Sequence, residues 1–364
     1  MLYLSYFLEK VENLDILEAW SMVYFQKIIV RNINIKEKYL MIIVRAPFRV
    51  SFAGGGSDIA SFYEKNGGCV LSTTIDKYIY LSVHPSFNAN ETILRYKKSE
   101  VVQEISEIGH DIVRACLQKK NIKNIEIHSD ADIPAGTGLG SSSTFTTALL
   151  TALNSYKGQK TDKEQLAQEA CEIEIEDLGN PIGKQDQYAA SYGNLNFYRF
   201  QKDGSVSVEA VKMSSADKEK MANNLLMFYI GGVHDAPQIL SEQSKNIQEV
   251  SKEKNLIRMC ELAEKLKVEL ESGNIDALGE ILHENWLLKR TLARGISNPR
   301  IDEYYQLALE AGALGGKLLG AGGAGFLLLY ATQDSKEKIR KALKLPEIKF
   351  SYDTEGTKVI YEEK

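Results

Sequence analysis

A segment rich in glycine and serine near the middle of the chain has the residues of an anion-binding loop. It reads Pro134-Ala135-Gly136-Thr137-Gly138-Leu139-Gly140-Ser141-Ser142-Ser143. Alternating glycines let backbone N–H groups approach an anion closely, and a helix that starts at the serines adds free amides and a positive dipole end. A P-loop would end in Gly-Lys-Ser/Thr, which is absent here. A turn with a serine N-cap is the alternative, but three glycines and three hydroxyls exceed what a cap requires, so we predict phosphate binding.

Two acidic residues further along the chain are candidates for chemistry. At about 100° per residue, Glu174 projects from a helix beside Leu166 and Ala170, whereas the other glutamates of that helix point elsewhere. A charge that leans inward needs a partner, which is either an internal arginine or a magnesium ion shared with nucleotide phosphates. Asp186 stands among polar residues, where an N-cap is the alternative to a functional acid.

A second run of glycines invites a misleading interpretation. Gly320, Gly322 and Gly325 match the spacing of a dinucleotide-binding fingerprint. That fingerprint must follow a strand and open a helix, whereas an apolar strand comes directly after these glycines. We therefore expect a loop that needs close backbone approach, either to a neighbouring loop or to a substrate, with packing alone as the alternative.

The elements that position these residues begin with a strand that carries two arginines. From Ile42 to Phe52 the even positions are apolar, which is the period of a half-buried strand and places Arg45 and Arg49 on its polar face. Pro47 would interrupt a central ladder, so we expect an edge strand or a bulge. The loop Gly54-Gly55-Gly56-Ser57-Asp58 follows.

Further elements follow from periodicity and capping signals. We predict strand material from Val70 to Val83, a helix near 101–119, a strand near 124–129, a helix from Ser141, and a helix that opens with Thr161 and Glu164 in capping-box spacing. We also predict strands near 194–200 and 205–211, a helix near 215–223, a strand from Leu225 to Ile230, helices from about 237 to 311, and a strand from Phe326 to Tyr330. We place a domain boundary near residue 215.

Composition excludes some classes of partner. Lys and Arg total 44 against 49 Asp and Glu, so a net charge of -5 offers no basic surface for nucleic acid. The four cysteines form no CxxC pair and the five histidines no HExxH motif, which predicts a reduced, cytoplasmic protein without structural zinc. His84, His110 and His128 lie in strand or helix patterns that ordinary packing or exposure explains.

The first 40 residues stand apart from the rest of the sequence. They continue no later pattern, and strand-like alternation starts at Met41. They lack a basic region before their short apolar stretch, so a secretory signal is disfavoured, and no apolar run of the chain approaches the roughly 20 residues of a membrane span. We expect residues 1–40 to be an extension to the core and predict no membrane partner.

Three segments, in order, resemble the motifs of the GHMP kinases, the superfamily of galactokinase, homoserine kinase and mevalonate kinase. They are Pro47 to Asp58, Pro134 to Ser143, and Lys317 to Phe326. The resemblance implies a two-domain α+β fold, with an N-terminal ATP-binding domain like the ribosomal S5 second domain at 41–215. It also implies a ferredoxin-like C-terminal domain at 216–364, with the active site between the two domains.

The resemblance also implies roles for individual residues. The second motif would hold the phosphates of ATP, and Ser142 with Glu174 would bind Mg²⁺. Asp186 would be the base that orients or deprotonates a sugar hydroxyl, while Arg49 would keep it ionised and offset charge on the transferring phosphoryl group. The residues implied in substrate binding are Gly55, Gly56, Ser57, Asp58, Lys289, Gly322 and Gly323. For Lys289, in the basic segment from His283 to Arg294, a solvated helix face is the alternative.

Within the superfamily, the motifs most resemble the D-glycero-D-manno-heptose 7-phosphate kinases. The segments that carry this likeness are Ser51 to Asp58, Thr74 to Tyr78, Gly183 to Tyr188 and Gly315 to Leu318. They imply phosphorylation of the anomeric C1 hydroxyl to the 1,7-bisphosphate, in the synthesis of nucleotide-activated heptose for surface polysaccharides. Another anomeric sugar kinase, for fucose, galactose or a uronic acid, is the nearest alternative, and a catalytically silent sugar sensor on the same fold is another. The sequence leaves the oligomeric state open.

Overall fold

The computed structural model describes residues 41–232, 236–247 and 249–363. Residues 41–362 form one compact unit. The extension predicted for residues 1–40 lies outside the described residues. None of the described helices is long and apolar enough to cross a membrane.

The described residues form two β-sheets with helices packed against them, which confirms the α+β class. The strands are β1 (Ile42–Ala53), β2 (Gly68–Pro85), β3 (Thr92–Arg95), β4 (Ser99–Val102), β5 (Ile125–Ala131), β6 (Leu195–Phe200), β7 (Val206–Ala210), β8 (Leu225–Gly231), β9 (Gly315–Leu318), β10 (Gly325–Tyr330), β11 (Tyr352–Asp353) and β12 (Lys358–Glu362). The helices are α1 (Ala60–Asn66), α2 (Asp111–Lys120), α3 (Ser141–Tyr156), α4 (Lys163–Cys171), α5 (Gln185–Tyr192), α6 (Ser215–Asn224), α7 (Ala236–Asn246), α8 (Val250–Glu271), α9 (Ala277–Lys289), α10 (Pro299–Glu310) and α11 (Gln333–Leu343).

The first sheet is built around β1 and β2. Its main path runs β12-β1-β2-β5-β3-β4, while β6 and β11 also pair with β2, and β7 pairs with β6. The antiparallel pairing of β1 with β2 shifts its register between Pro47 and Arg49, and β12 pairs only as far as Arg45. Pro47 therefore lies at a bulge beyond the end of β12, which confirms the irregularity predicted from its missing N–H.

The second sheet has the order β8-β10-β9 and is antiparallel throughout. The apolar residues of β10 are buried on both faces. Leu328 and Tyr330 pack in one cluster with α9 and the first sheet, whereas Leu327 and Leu329 pack in another with α10 and α11. One cluster of buried residues runs from Phe48 and Phe52 of β1 to Leu328 of β10. The two sheets thus share a core, and the predicted boundary near residue 215 stays a prediction.

Most of the predicted elements are present, including the helix that begins at Ser141 and the strand that follows the last glycines. The helix predicted near 101–119 was placed too early, since residues 99–102 pair with β3 and α2 begins only at Asp111. The capping box at Thr161 was also wrong. The N-cap is Asp162, whose carboxylate accepts from the backbone N–H of Gln165, and Thr161 instead accepts from Asn154.

Candidate active site

The loop before α3 presents the N-terminus of that helix to the surface. Gly140 is the N-cap residue, with φ at 77°, and no side chain caps the first turn. The amides of that turn have no partner within the helix, so they remain available to an anion. Two hydrogen bonds hold the loop in place. The Thr137 hydroxyl donates to the carbonyl of Pro134 within the loop, and the backbone N–H of Arg49 on β1 donates to the carbonyl of Leu139.

The two glycine-rich loops pack against each other through their backbones. A Cβ added at Gly138 would lie 2.5 Å from the carbonyl oxygen of Leu319, and one added at Gly320 would lie 2.4 Å from the Cα of Gly138. A Cβ at Gly325 would lie 2.2 Å from the carbonyl oxygen of Thr137. No side chain fits in such a gap. The third-motif glycines therefore serve the close loop-to-loop approach that their context predicted.

Arg49 and Asp186 form an ion pair at the end of the phosphate loop. Arg49 Nε lies 2.7 Å from Oδ1 of Asp186 and Nη2 lies 2.9 Å from Oδ2, while Nη1 donates to the carbonyl of Gly138 at 2.7 Å. This two-pronged pairing fixes the plane of the carboxylate. A Cβ added at Gly140 would lie 3.0 Å from Oδ2 of Asp186. The carboxylate thus lies directly beside the N-terminus of α3.

Glu174 lies fully buried behind the same helix N-terminus, at a one-turn π-helical segment, Glu172–Asp177. Four side chains donate hydrogen bonds to its carboxylate: Ser142 at 3.0 Å, Thr146 at 2.8 Å, Ser143 at 2.6 Å and Gln187 at 2.5 Å. Burial raises its pKa above the ordinary value, while these hydrogen bonds act in the opposite direction. The inward orientation predicted for Glu174 is present, and its described partners are hydroxyl and amide donors.

The pair Ser142 and Glu174 fits a magnesium ion in its donor atoms and spacing. Ser142 is exposed, and its Oγ lies 3.0 Å from Oε1 of Glu174. Two neighbouring ligands of an octahedral Mg²⁺, each about 2.0–2.1 Å from the ion, lie about that far apart. Ser143 is buried and its hydroxyl is already directed at Glu174, so only its backbone remains for phosphate.

The loop after β1 places Asp58 in a polar region, called the cleft, that is also lined by Gln185, Gln243, Asn285, Lys289 and Lys317. Its carboxylate accepts from the backbone N–H of Gly56 at 2.9 Å and from the backbone N–H of Gln185 at 3.2 Å. Burial and the nearby charge of Asp186 raise the pKa of Asp58. The Ser57 hydroxyl is engaged elsewhere, because it bonds both the carbonyl and the N–H of Cys69 and so holds the loop on β2. A role for Ser57 in substrate binding stays a prediction.

Two lysines are buried in the same region. Lys289 Nζ donates to Oε1 of Gln243 at 2.8 Å and to the carbonyl of Gly55 at 3.3 Å, and burial lowers its pKa to about 8. Lys317 Nζ lies 3.5 Å from the carbonyl oxygen of Phe52, and burial with the charges of Lys289 and Arg49 lowers its pKa to about 7. Neither lysine has a carboxylate partner among the ion pairs of the described residues.

Polar atoms without hydrogen-bond partners gather around this loop. Gln185 Oε1, Gln243 Nε2, Asn285 Nδ2 and Ser51 Oγ are buried and unpartnered. A buried polar atom without a partner is costly, so a polar ligand that satisfies several of them at once would be favoured. Sequence reasoning missed Gln243 and Lys317, because each is remote in the chain from the loop it faces and no periodic pattern marks it.

The other predicted substrate residues are distributed unevenly. A Cβ added at Gly56 would lie 2.3 Å from Nε2 of Gln243, so the glycine allows the Gln243 side chain to pack directly against this loop. Gly322 and Gly323 instead pack on Ile296, where a Cβ on Gly322 would lie 2.4 Å from its Cα and the N–H of Gly323 donates to its carbonyl. Their contact with a substrate stays a prediction.

The basic segment at the end of α9 splits between the cleft and the surface. Lys289 points inward, whereas Arg290 forms an ion pair with Asp302 and Arg294 is exposed. The two arginines therefore lie on a solvated helix face, which was the alternative considered for this segment. The buried position of Lys289 is compatible with the substrate-binding role predicted for it.

Comparison with known proteins identifies the family. Residues 105–194 match the GHMP kinases N terminal domain, and residues 266–346 match the GHMP kinases C terminal domain. A D-glycero-alpha-D-manno-heptose 7-phosphate kinase of Campylobacter jejuni is 28% identical over 334 residues, which cover 86% of this chain and 97% of that protein. A galactokinase of Thermotoga neapolitana is 23% identical over 332 residues, which cover 83% of this chain and 92% of that protein.

A solved structure supports the fold. The crystal structure of a D-glycero-D-manno-heptose 1-phosphate kinase from Bacteriodes thetaiotaomicron superposes with a TM-score of 0.72 at 24% identity, covering 88% of this chain and 99% of that one. With both family domains matched in order, the chain belongs to the GHMP kinases, phosphotransferases that use ATP and an alcohol acceptor.

Proposed function

We propose that this chain transfers the γ-phosphoryl group of ATP to the C1 hydroxyl of D-glycero-D-manno-heptose 7-phosphate, giving the 1,7-bisphosphate for nucleotide-activated heptose and surface polysaccharide synthesis. The observation that carries the proposal is the Arg49–Asp186 pair, which lies beside the helix N-terminus expected to hold the phosphates. A positioned carboxylate next to a phosphate site is the arrangement that phosphoryl transfer to a hydroxyl requires.

In this mechanism Asp186 accepts the proton of the anomeric hydroxyl as its oxygen attacks the γ-phosphorus in line with the leaving ADP. The anomeric hydroxyl is more acidic than an ordinary alcohol, so a carboxylate is an adequate base. Arg49 has two tasks, since its bidentate contact orients Asp186 and its positive charge offsets charge on the transferring phosphoryl group. No covalent enzyme intermediate is required.

The donor atoms of Ser142 and Glu174 would hold Mg²⁺, which neutralises charge on the β- and γ-phosphates when it is bound. The buried hydroxyls of Ser143 and Thr146 keep the Glu174 carboxylate oriented toward Ser142. We expect Glu174→Gln to raise the Mg²⁺ concentration needed for half-maximal turnover. The new amide lacks the negative charge, and its N–H₂ group would face side chains that donate hydrogen bonds to Glu174. A magnesium titration of ADP release measures this, and an unchanged midpoint would remove Glu174 from the metal site.

Support for the heptose phosphate comes from the similar Campylobacter jejuni protein and from the charge of the cleft. Asp58 and the unpartnered atoms of Gln185, Gln243 and Asn285 suit the hydroxyls of a sugar ring. Lys289 and Lys317 are buried without carboxylate partners, and an anionic group of the substrate would supply the missing negative charge. We assign the contact with the 7-phosphate to Lys289.

The test is ADP release with MgATP and D-glycero-D-manno-heptose 7-phosphate, beside unphosphorylated heptose, fucose, galactose and a uronic acid. We expect turnover with the heptose 7-phosphate and a loss of about 10²–10⁴ in kcat for Asp186→Asn, which keeps the side-chain shape but cannot accept the proton. Turnover with a different sugar would overturn the proposed substrate but leave the proposed mechanism unchanged. Binding of ATP and sugar without any ADP release would favour the sugar sensor.

Lys289→Ala isolates the contact with the 7-phosphate. We expect a higher KM for the heptose 7-phosphate, an unchanged KM for ATP, and a smaller preference over unphosphorylated heptose. Arg290→Ala is the matched control, because it removes a neighbouring cation that faces Asp302 at the surface. An equal KM for the phosphorylated and unphosphorylated heptoses in the wild type would show that the enzyme does not bind the 7-phosphate, and would contradict the assignment of Lys289.

A further inference from the structure

A group of three side chains on the first sheet has the donor atoms of a metal site, away from the phosphate loop. His84, Glu126 and His128 each offer one ligand atom, and these atoms lie within 4.8 Å of one another. His84 on β2 lies directly opposite Glu126 on β5, and His128 follows Glu126 by two residues. Since residues i and i+2 of a strand share a face, the pairing of β2 with β5 brings all three to one surface.

The hydrogen bonding of His84 leaves one ring nitrogen ready to bind a metal. Nδ1 of His84 lies 2.9 Å from the carbonyl oxygen of Pro85. A carbonyl oxygen only accepts hydrogen bonds, so Nδ1 carries a proton and Nε2 is the ring nitrogen left to bind a metal. Histidines that bind metals generally donate their second ring N–H to a carbonyl or carboxylate in this way.

Glu126 is a carboxylate held between two hydrogen-bond donors. Its Oε1 accepts from Nε2 of His128 and from Nε of Arg95, each at 2.9 Å. A divalent cation can replace the proton that His128 shares with Glu126, and all three side chains are only half-buried, so an ion reaches them from solvent.

We propose that His84, Glu126 and His128 bind one Zn²⁺ on the outer face of the first sheet, with the fourth position open to water. Two imidazoles and one carboxylate suit zinc, whereas magnesium and calcium prefer oxygen ligands alone. The site lies at the start of β5, and the phosphate loop begins only after the other end of that strand, at Pro134. Zinc here cross-links β2 to β5 and takes no part in phosphoryl transfer.

The experiment is a calorimetric titration of Zn²⁺ into the tag-free full chain, stripped of metal and kept in excess Mg²⁺ so that the Ser142–Glu174 region is occupied. We expect one equivalent to bind, and the single variants His84→Gln and His128→Gln to weaken binding by about tenfold or more. Both variants should retain wild-type turnover with MgATP, because neither residue belongs to the phosphoryl-transfer site.

Two further variants separate this site from other zinc ligands. Cys260→Ser removes the most exposed cysteine and should leave zinc affinity unchanged, while Arg95→Gln should tighten binding severalfold, because it removes a competing cation from Glu126. Co²⁺ used in place of zinc should give visible absorption without a thiolate charge-transfer band. Unchanged zinc affinity in the double variant His84→Gln, His128→Gln, or its loss in Cys260→Ser, would overturn the proposal.

Thermal unfolding provides an independent readout. A ligand that binds the native state alone raises the unfolding temperature with its concentration, so Zn²⁺ should stabilise the wild type but leave the double variant unchanged. Equal stabilisation of both proteins would place the zinc elsewhere.

Discussion

At the scale of single residues, the cleft concentrates buried ionisable groups whose pKa values are displaced from their ordinary ranges. Burial raises the pKa of Asp58 and Glu174, and it lowers that of Lys289 to about 8 and that of Lys317 to about 7. Perturbed groups of this kind gather at functional sites, because a site that binds charged substrates keeps charges partly unpaired until they arrive. Buried charges without full pairing lower the free energy of unfolding of the ligand-free protein.

Lys317→Met should therefore stabilise the free protein in a pH-dependent way. Between pH 7 and the ordinary lysine value of about 10.5, the unfolded chain binds a proton that the folded chain does not, so stability rises with pH across this window. The free-energy cost of burying the charged Lys317 side chain is largest below pH 7, where the folded chain also binds this proton. We expect Lys317→Met to raise the free energy of unfolding at pH 6 on the order of 3 kcal/mol, and by less at pH 9. Chemical denaturation at both pH values measures this, and a gain that does not change with pH would contradict it.

Arg49→Lys tests the geometry of the ion pair rather than its charge. A lysine ammonium cannot make two parallel hydrogen bonds to Asp186 while also reaching the carbonyl of Gly138. We expect kcat to fall about 10²-fold. Arg45→Lys is the matched control on the same strand, since Arg45 pairs with Glu355 at the surface, and it should keep turnover. Similar losses in both variants would mean that the strand, and not the pair, had been disturbed.

At the scale of elements, the site depends on two loops that touch through their backbones. The loop before α3 and the loop between β9 and β10 are far apart in the chain, and glycines at both sides allow the contact. Their approach fixes Gly138, whose carbonyl accepts a hydrogen bond from Arg49, and so connects the third motif to the Arg49–Asp186 pair. The second sheet thereby helps to position residues of the first.

Gly138→Ala should damage the site more than its backbone conformation alone explains. Its added Cβ would lie 2.5 Å from the carbonyl of Leu319, in addition to the strain of φ at 87°. Gly158→Ala is the control, since it has φ at 69° with nothing within 4 Å of its Cβ position, so it carries only the conformational strain of about 1 kcal/mol. We expect turnover to be lost in the first variant and retained in the second. Retained turnover in both variants would mean that close contact between the two glycine-rich loops is not needed for activity.

At the scale of the whole molecule, residues 41–362 form one compact unit. The last strand, Lys358–Glu362, returns to pair with the first, Ile42–Ala53, and one buried cluster joins the two sheets. Closing the first sheet with a strand from the end of the chain makes its stability depend on contacts distant in sequence.

A chain that begins at Met41 should therefore fold and turn over like the full-length chain. The core contacts described for residues 41–362 join residues of this unit to one another. Circular dichroism on heating and steady-state kinetics compare the two proteins. A drop in the unfolding temperature together with lost turnover would show that residues 1–40 belong to the working enzyme.

The sequence by itself determined those features that depend on local spacing. Alternation placed β1, glycine spacing and the serines placed the start of α3 at Ser141, and helical periodicity turned Glu174 inward. Three motifs in order were enough to identify the GHMP family. These features were accessible because backbone geometry depends on near neighbours, and because a phosphate loop is a local structure.

Only the tertiary structure decided which distant groups meet. Gln243 and Lys317 enter the cleft from separate elements, and the Ser57 hydroxyl donates to the carbonyl of Cys69. His84 and His128 lie on different strands, so no spacing rule for metal ligands could join them. The helix expected near 101–119 was shortened for the same reason, since pairing of β4 with β3 prevailed over local propensity. Strand pairing and side-chain burial are long-range, and a pattern in one segment carries no record of its partner.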